Sequence, residues 1–235
     1  MTISTPKFFI TGDQPCSYLP DRWAQNLLLD PGWPVDHNTY GQLVQQGFRR
    51  SGNHVYRPHC GNCKACVPAR VRVQQHQPNR NQKRALRANE DLTVHVRPAR
   101  FCDEYFDLFR RYLDVRHSQS EMTDTQPEQF SEFLISRWCQ TEFLEVRQEK
   151  KLMAVAVTDR CLDGLSAVYT FFEPDEPKRH LGRYCVQQQI KLAANRQLPY
   201  LYLGYWIADC GNMAYKSEYK PLEVYRFDQW QLLQE

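Results

Sequence analysis

From residue 141 onward the chain reads strand, strand, strand, helix, strand, strand, and this order restricts the fold more than any other feature. "TEFLEVRQ" and "KLMAVAVTD" are β-like runs joined by a tight polar turn at Glu149 to Lys151. "LSAVYTFFEP" is a third run, apolar enough to be buried on both faces. "HLGRYCVQQQIKLAANRQ" opens as a helix at Gly182, "LPYLYLGYWI" returns as a strand, and "LEVYRFDQW" reads as a last strand. A hairpin that feeds a strand–helix–strand crossover demands a parallel pair inside a mixed sheet. Such a sheet splays where the parallel pair begins. The crossover helix then aims its N-terminus at the gap, a ready site for an anion or a carbonyl oxygen.

Two helices precede these strands. Phe101, Tyr105, Phe109 and Tyr112 recur at helical spacing, and Pro127 starts a second periodic run through Phe130, Phe133, Leu134 and Trp138. Residues 1 to about 75 differ in texture, with Pro, Gly, Cys and short polar turns around a small strand core. One helix is expected near "DHNTYGQLVQQGF", capped by Asp36 and stopped by Gly47. The expected class is α+β, with a smaller loop-rich, cysteine-containing N-terminal domain over residues 1–91 and a mixed-sheet domain over 92–235. The second domain resembles the acetyltransferase-like (GNAT) fold. It lacks the glycine-rich pyrophosphate loop of acetyl-CoA enzymes, since "KRHLGRY" has one glycine.

The 235 residues are 42% hydrophobic, a globular composition with enough chain for a sizeable core. The net charge of +3 is too small to identify a polyanion binder by itself. Its distribution says more. Arg70, Arg72, Arg80, Lys83, Arg84, Arg87, Arg97 and Arg100 face only Glu90 and Asp91 between residues 70 and 100. Such a stretch suits phosphates or forms a solvated basic face. No apolar run is long enough for a bilayer span, and "MTISTPKFFITGDQPC" lacks the pattern of a secretory leader. A cytoplasmic location is expected, where nine cysteines are thiols or metal ligands rather than disulfides.

Cys60, Cys63 and Cys66 form C-x2-C-x2-C, spacing that lets three thiolates face one centre, with Cys16 as a candidate fourth ligand. A structural zinc, an iron–sulfur cluster and metal-free thiols stabilising a turn all remain open. Cys102, Cys139, Cys161, Cys185 and Cys210 stand singly and read as small core residues.

"CSYLPDRWAQNLLLD", "GFRRSGNHVYRPHCGNCKACVPARV", "LSAVYTFFEP" and "LPYLYLGYWIADCGNMAYKSEYKPLE" together resemble the aminoacyl-tRNA–protein transferases, nearest the bacterial aspartate/glutamate leucyltransferase branch. The likeness spans nearly the whole chain. It implies transfer of leucine from leucyl-tRNA to the N-terminal amine of proteins that begin with Asp or Glu, which creates a degradation signal. Eukaryotic relatives, which move arginine, carry a C-x-x-C pair at the position of "CSYL"; here Leu19 replaces its second cysteine.

Aminolysis of an activated ester is downhill, so the chemistry needs no cofactor, only positioning, a neutral amine and an oxyanion partner. An acidic acceptor residue calls for cations. Arg49, Arg50 and Ser51 in "GFRRSG", and Lys216, Tyr219 and Lys220 in "AYKSEYKP", are candidates for substrate binding, with Tyr202. Glu218 and Tyr205 are candidates for catalysis, with Asp209 behind them. Phe171 and Phe172 are candidates for a leucine pocket, and His117 for a titrating group. Arg80, Lys83, Arg84 and Arg87 are the candidate tRNA contacts. Each charge has a plain alternative as a solvated or salt-bridged group. The competing functions are a metal- or cluster-bearing nucleic-acid-binding module without catalysis, an acyl-CoA N-acetyltransferase, and a redox sensor.

Overall fold

The computed structural model describes residues 6–116 and 124–234. His117 lies outside the described residues. In chain order the strands and helices are β1 (Phe8–Ile10), β2 (Gln14–Pro15), β3 (Trp23–Ala24), β4 (Asn26–Leu29), α1 (His37–Gln45), β5 (Arg49–Ser51), β6 (His54–Pro58) and β7 (Val67–Arg72). There follow α2 (Arg80–Arg87), β8 (Thr93–Pro98), α3 (Asp103–Arg116), α4 (Pro127–Leu134), β9 (Gln140–Gln148), β10 (Lys151–Arg160) and β11 (Gly164–Phe172). The chain closes with α5 (Leu181–Asn195), β12 (Tyr200–Trp206), α6 (Gly211–Ala214), a 3-10 turn at Tyr215–Glu218, β13 (Leu222–Arg226) and β14 (Gln229–Leu232).

The fold is α+β, built on an eight-stranded sheet in the order β14-β13-β7-β12-β11-β10-β9-β8. Every neighbouring pair is antiparallel except β11 and β12, which are joined through α5 and run parallel. Helices cover both faces of the sheet. Odd-numbered residues Phe143, Val155 and Val157 pack with α3 and α4, while even-numbered Leu144, Ala154 and Ala156 pack with Leu181, Tyr184 and Cys185 of α5. This is why β10 is apolar from Leu152 to Val157: alternate side chains leave opposite faces, and both faces are buried.

The helix boundaries follow local chemistry. Asp36 caps α1 by accepting from Thr39 N at 2.7 Å, and Gly47 leaves it at φ +83°. Pro127 occupies the first turn of α4.

Two sequence expectations change. The division at residue 91 cuts through shared core clusters. β7 comes from the N-terminal segment yet lies between β12 and β13 in the large sheet, with Val67, Ala69 and Val71 buried. The small sheet β1-β4-β6-β5 and α1 also share a core with Cys139, Cys161 and Tyr202. The change in texture reflects short turns rather than a seam. Secondly, the tail is a hairpin, not one strand: Phe227 and Asp228 turn it at φ 52° and 57°. Positive φ at both central residues makes a two-residue hairpin turn, here without its usual glycine.

Candidate active site

β11 and β12 pair only at Gly164–Tyr200, Leu165–Leu201 and Ser166–Tyr202. Beyond these rungs they part, and β12 shifts register against β7 between Tyr202 and Gly204. Unpaired strands expose carbonyls that need donors. Two cations supply them. Arg49, on β5, reaches into the gap and donates from Nη2 to Ala167 O (2.6 Å) and Val168 O (3.2 Å) of β11. Lys216, in the 3-10 turn, donates from Nζ to Tyr205 O of β12 at 2.6 Å. Gly204 is at φ +77°, and a side chain there would fall on Arg49 Nη1. Glycine therefore makes room for the guanidinium.

Lys216 is 5% exposed. Burial is the main reason that its pKa is lowered to about 7, and the positive Arg49 nearby adds to it. Among the described residues no carboxylate pairs with either cation. Two cations thus share one gap, each bonded there to backbone carbonyls rather than to a carboxylate.

Tyrosines surround them. Tyr18, 38% exposed, is raised to about 12 by burial and by neighbouring Tyr56, with Arg49 opposing. Burial likewise raises Tyr215, against the pull of Arg49 and Arg183; Tyr112, also raised by burial, lies one step further out, beside Tyr215 and Arg116 rather than the two cations. All three remain protonated hydroxyls at neutral pH. Sequence reasoning missed Tyr18, Tyr56 and Tyr112, because distant segments bring them together.

Several candidates are placed elsewhere. Arg50 points to the opposite face of β5. It is fully enclosed, with Nε and Nη2 on Asp159 at 2.6 and 2.7 Å and further bonds to Gly52 O, Leu134 O and Thr141 Oγ1. Arg50 is therefore a core residue rather than a substrate contact. Tyr205 is 2% exposed and its hydroxyl is committed to Gly47 O and Tyr56 O, both at 3.2 Å; its carbonyl, not its phenol, serves the site. Tyr202 OH binds Asp163 at 2.9 Å and receives Arg70 Nη1 at 3.2 Å, at the paired end of β12. Glu218 is held by Arg183 in a bidentate pair at 2.5 and 2.9 Å. Tyr219 is 1% exposed, stacked beside His76. Ser51 lies opposite His54 across the β5–β6 hairpin, and Lys220 and Asp209 are exposed. Phe171 belongs to the α3–α4 core, while half-buried Phe172 lies against Tyr112 and Gly182.

The thiols converge, with an addition. Burial pushes Cys66 up to about 12, helped by Cys16, Cys60, Cys63 and also Cys210. Cys210 is thus a member of this cluster, not a core residue as its solitary position suggests. Cys60 Sγ accepts from Gln25 N at 3.5 Å. All nine cysteines are free, and among the described residues no group of three or more His, Cys, Asp or Glu side chains is arranged to hold a metal ion.

Arg80, Lys83, Arg84 and Arg87 are all exposed on one side of α2, and among the described residues no acid pairs with them. The opposite side buries Gln82 and Ala85. A recess of about 400 Å³ is lined by Trp33, Trp138, Asp30, Asn53 and Arg137 among others, and not by Arg49 or Lys216. Beside Arg49 and Gly204 the void is only about 10 Å³. No helix is long and apolar enough to cross a membrane among the described residues.

Comparison with known proteins adds independent findings. The profile "Arginine-tRNA-protein transferase, N terminus" matches residues 14–84, and its C-terminus counterpart matches residues 104–226. An aspartate/glutamate leucyltransferase of Pseudomonas fluorescens is 50% identical over 224 residues, 95% of either chain. One of Nitrosococcus oceani is 50% identical over 229 residues, covering 97% of this chain and 96% of its own. A solved structure, L-PGS from Bacillus licheniformis, is similar at TM-score 0.48 and 15% identity, over 71% of this chain and 62% of the other.

Proposed function

As a member of the arginine-tRNA–protein transferase family, this chain is an aminoacyltransferase, and we propose that it moves leucine from leucyl-tRNA onto the N-terminal amine of proteins beginning with Asp or Glu. The product is marked for degradation in the cytoplasm. The observation that carries this reading is the facing pair Arg49 and Lys216 in the splayed gap, two cations without a carboxylate among the described residues. The acceptor's side-chain carboxylate completes the set. The alternative, a metal- or cluster-binding nucleic-acid-binding module without catalysis, gives these two cations no ligand to meet.

The reaction follows from that docking. The acceptor's α-amine, held as the neutral form, attacks the ester carbonyl of leucyl-tRNA. A C–N bond forms, the ester C–O bond breaks, the amine loses a proton and the terminal ribose hydroxyl leaves with one. Donors at the gap stabilise the tetrahedral oxyanion. Positioning and these charges are sufficient, without a metal or a nucleotide. Phe172 and Tyr112 offer the apolar wall for leucine. The exposed face of α2 takes tRNA phosphates. The direct test is purified protein with radiolabelled leucyl-tRNA or arginyl-tRNA and peptides starting with Asp, Glu, Lys or Ala. Label is expected only from leucyl-tRNA and only on the Asp and Glu peptides. Equal labelling of Lys peptides would overturn the assignment.

Lys216 also predicts a pH profile. Its ammonium is retained below about pH 7 and lost above it, so acceptor binding weakens on the alkaline side. An α-amine has an ordinary pKa of about 8, so the nucleophile is lost on the acid side. The expected kcat/KM for an Asp peptide is bell-shaped, its maximum between these values. Lys216→Arg stays charged throughout and is expected to lose the alkaline limb, as rates measured from pH 6 to 9 would reveal.

A further inference from the structure

The helix that carries the basic tRNA face has a second face with a different task. Asn79 and Gln82 form a capping box at the start of α2: Asn79 Oδ1 accepts from Gln82 N, and Gln82 Oε1 accepts from Asn79 N, both at 2.9 Å. Capping uses only the oxygen of each amide. The two NH2 groups converge instead on one distant carbonyl, Glu218 O, at 3.4 Å from Asn79 and 3.1 Å from Gln82.

His76 extends the same grip. Its Nδ1 lies 2.8 Å from Lys220 O, and its Nε2 lies 3.2 Å from Gln187 Nε2. A carbonyl only accepts, so Nδ1 carries a proton and donates it to Lys220 O. Between the two gripped carbonyls, the Tyr219 ring lies 6.0 Å from the His76 ring at an interplanar angle of 28°. Residues 218 to 220 are thus held from segment 76–82, and Lys216 sits two residues upstream in the same turn.

The far end of α2 is anchored too. Asn89 Nδ2 donates to Arg179 O at 2.7 Å, and Arg179 Nη1 donates to Ala88 O at 3.1 Å, just ahead of α5. One short helix therefore joins the Lys216 turn to the segment that leads into the crossover helix. Its outward face presents Arg80, Lys83, Arg84 and Arg87.

We infer that Gln82, with Asn79 and His76, is a positioning residue that keeps Lys216 in register with tRNA bound on the outer face of α2. The inference rests on the function proposed above. Gln82, 0% exposed, sits too deep to touch tRNA; its oxygen serves the cap, and it reaches the Lys216 turn through the carbonyl it holds.

Gln82→Glu keeps the capping oxygen and the shape but removes the donor; Gln82→Met removes it without adding charge. Two quantities are measured at a temperature well below each variant's unfolding midpoint: single-turnover transfer from saturating leucyl-tRNA to an Asp-starting peptide, and the Kd for tRNA. Both variants are expected to slow transfer about 10-fold, because small misplacements of a binding group carry penalties of that order. Their Kd for tRNA stays within about 2-fold, since the phosphate-facing charges are untouched. Asn79→Asp, which retains the cap, is expected to shift in the same direction by less, and keeps the test open should the Gln82 variants fold poorly. Lys83→Glu, by contrast, raises the Kd. Transfer within about 2-fold of the parent in the variants that fold, or a rate loss matched by an equal loss of tRNA affinity, overturns the inference. Failure of the functional reading looks different: the unaltered chain would leave leucyl-tRNA intact.

Discussion

Gly204→Ala is expected to reduce leucyl transfer by about 100-fold or more, the scale on which a displaced binding group costs rate. The added carbon would land on Arg49 Nη1, and the backbone there is at φ +77°. The left-handed conformation alone costs an L-residue about 1–2 kcal/mol. The clash adds to this, because Arg49 is fixed by Ala167 O at 2.6 Å and Val168 O at 3.2 Å. Either the guanidinium leaves the gap and β11 loses its donor, or β12 moves and closes the splay. Both outcomes remove the proposed acceptor site. Single-turnover transfer and thermal unfolding distinguish the cause. The double variant Gly204→Ala with Arg49→Ala relieves the clash and is expected to regain stability without regaining transfer. Transfer by Gly204→Ala within about 3-fold of the parent would show that the gap is not where the acceptor binds.

Asp159→Asn is the second large effect, this time on stability. Asp159 accepts from Arg50 through two oxygens, from Thr141 Oγ1 at 2.7 Å and from Tyr40 OH at 3.1 Å, and both ionic side chains are fully enclosed. Removing one charge strands Arg50 in the interior, which costs about 3–5 kcal/mol. In a chain of this size each kcal/mol lowers the unfolding midpoint by about 2–4 °C. A midpoint drop near 10 °C is therefore expected. Replacing both partners, Arg50→Met with Asp159→Leu, removes the stranded charge and is expected to recover much of the loss. The double variant also decides the role of Arg50. If it folds and still transfers leucine, Arg50 is no part of acceptor recognition. Full stability of Asp159→Asn would mean that the pair contributes little to holding β5 against the large sheet.

The comparison of Arg49 with Arg50 shows where the limits of sequence reading lie. Both stand in one glycine-bounded motif, and both are sequence candidates for substrate binding. Side chains alternate across a strand, so neighbours on β5 must part: one enters the gap between β11 and β12, and the other enters the core beside Asp159. Glu218 illustrates a related limit. A carboxylate in a basic setting looks like a base until its partner is known, and Arg183 comes from the crossover helix, 35 residues away in sequence. Cys210 joined the other thiols for the same reason, since convergence is a property of loops packed together and not of spacing. Helix α2 and strand β8 escaped notice as elements. Their apolar residues are few, and what holds α2 is a pair of amides reaching another segment.

The order of elements, the parallel pair, the capped helices and the long motifs were written in the chain itself. Periodicity, capping residues and short turns act through neighbours close in sequence, and motif likeness needs no coordinates. Which cation faces the gap, which tyrosines surround it and what the inner face of α2 holds were decided only by tertiary structure. Those outcomes depend on partners that are remote along the chain, and the meaning of a charge is set by the partner it finds when the sheet closes.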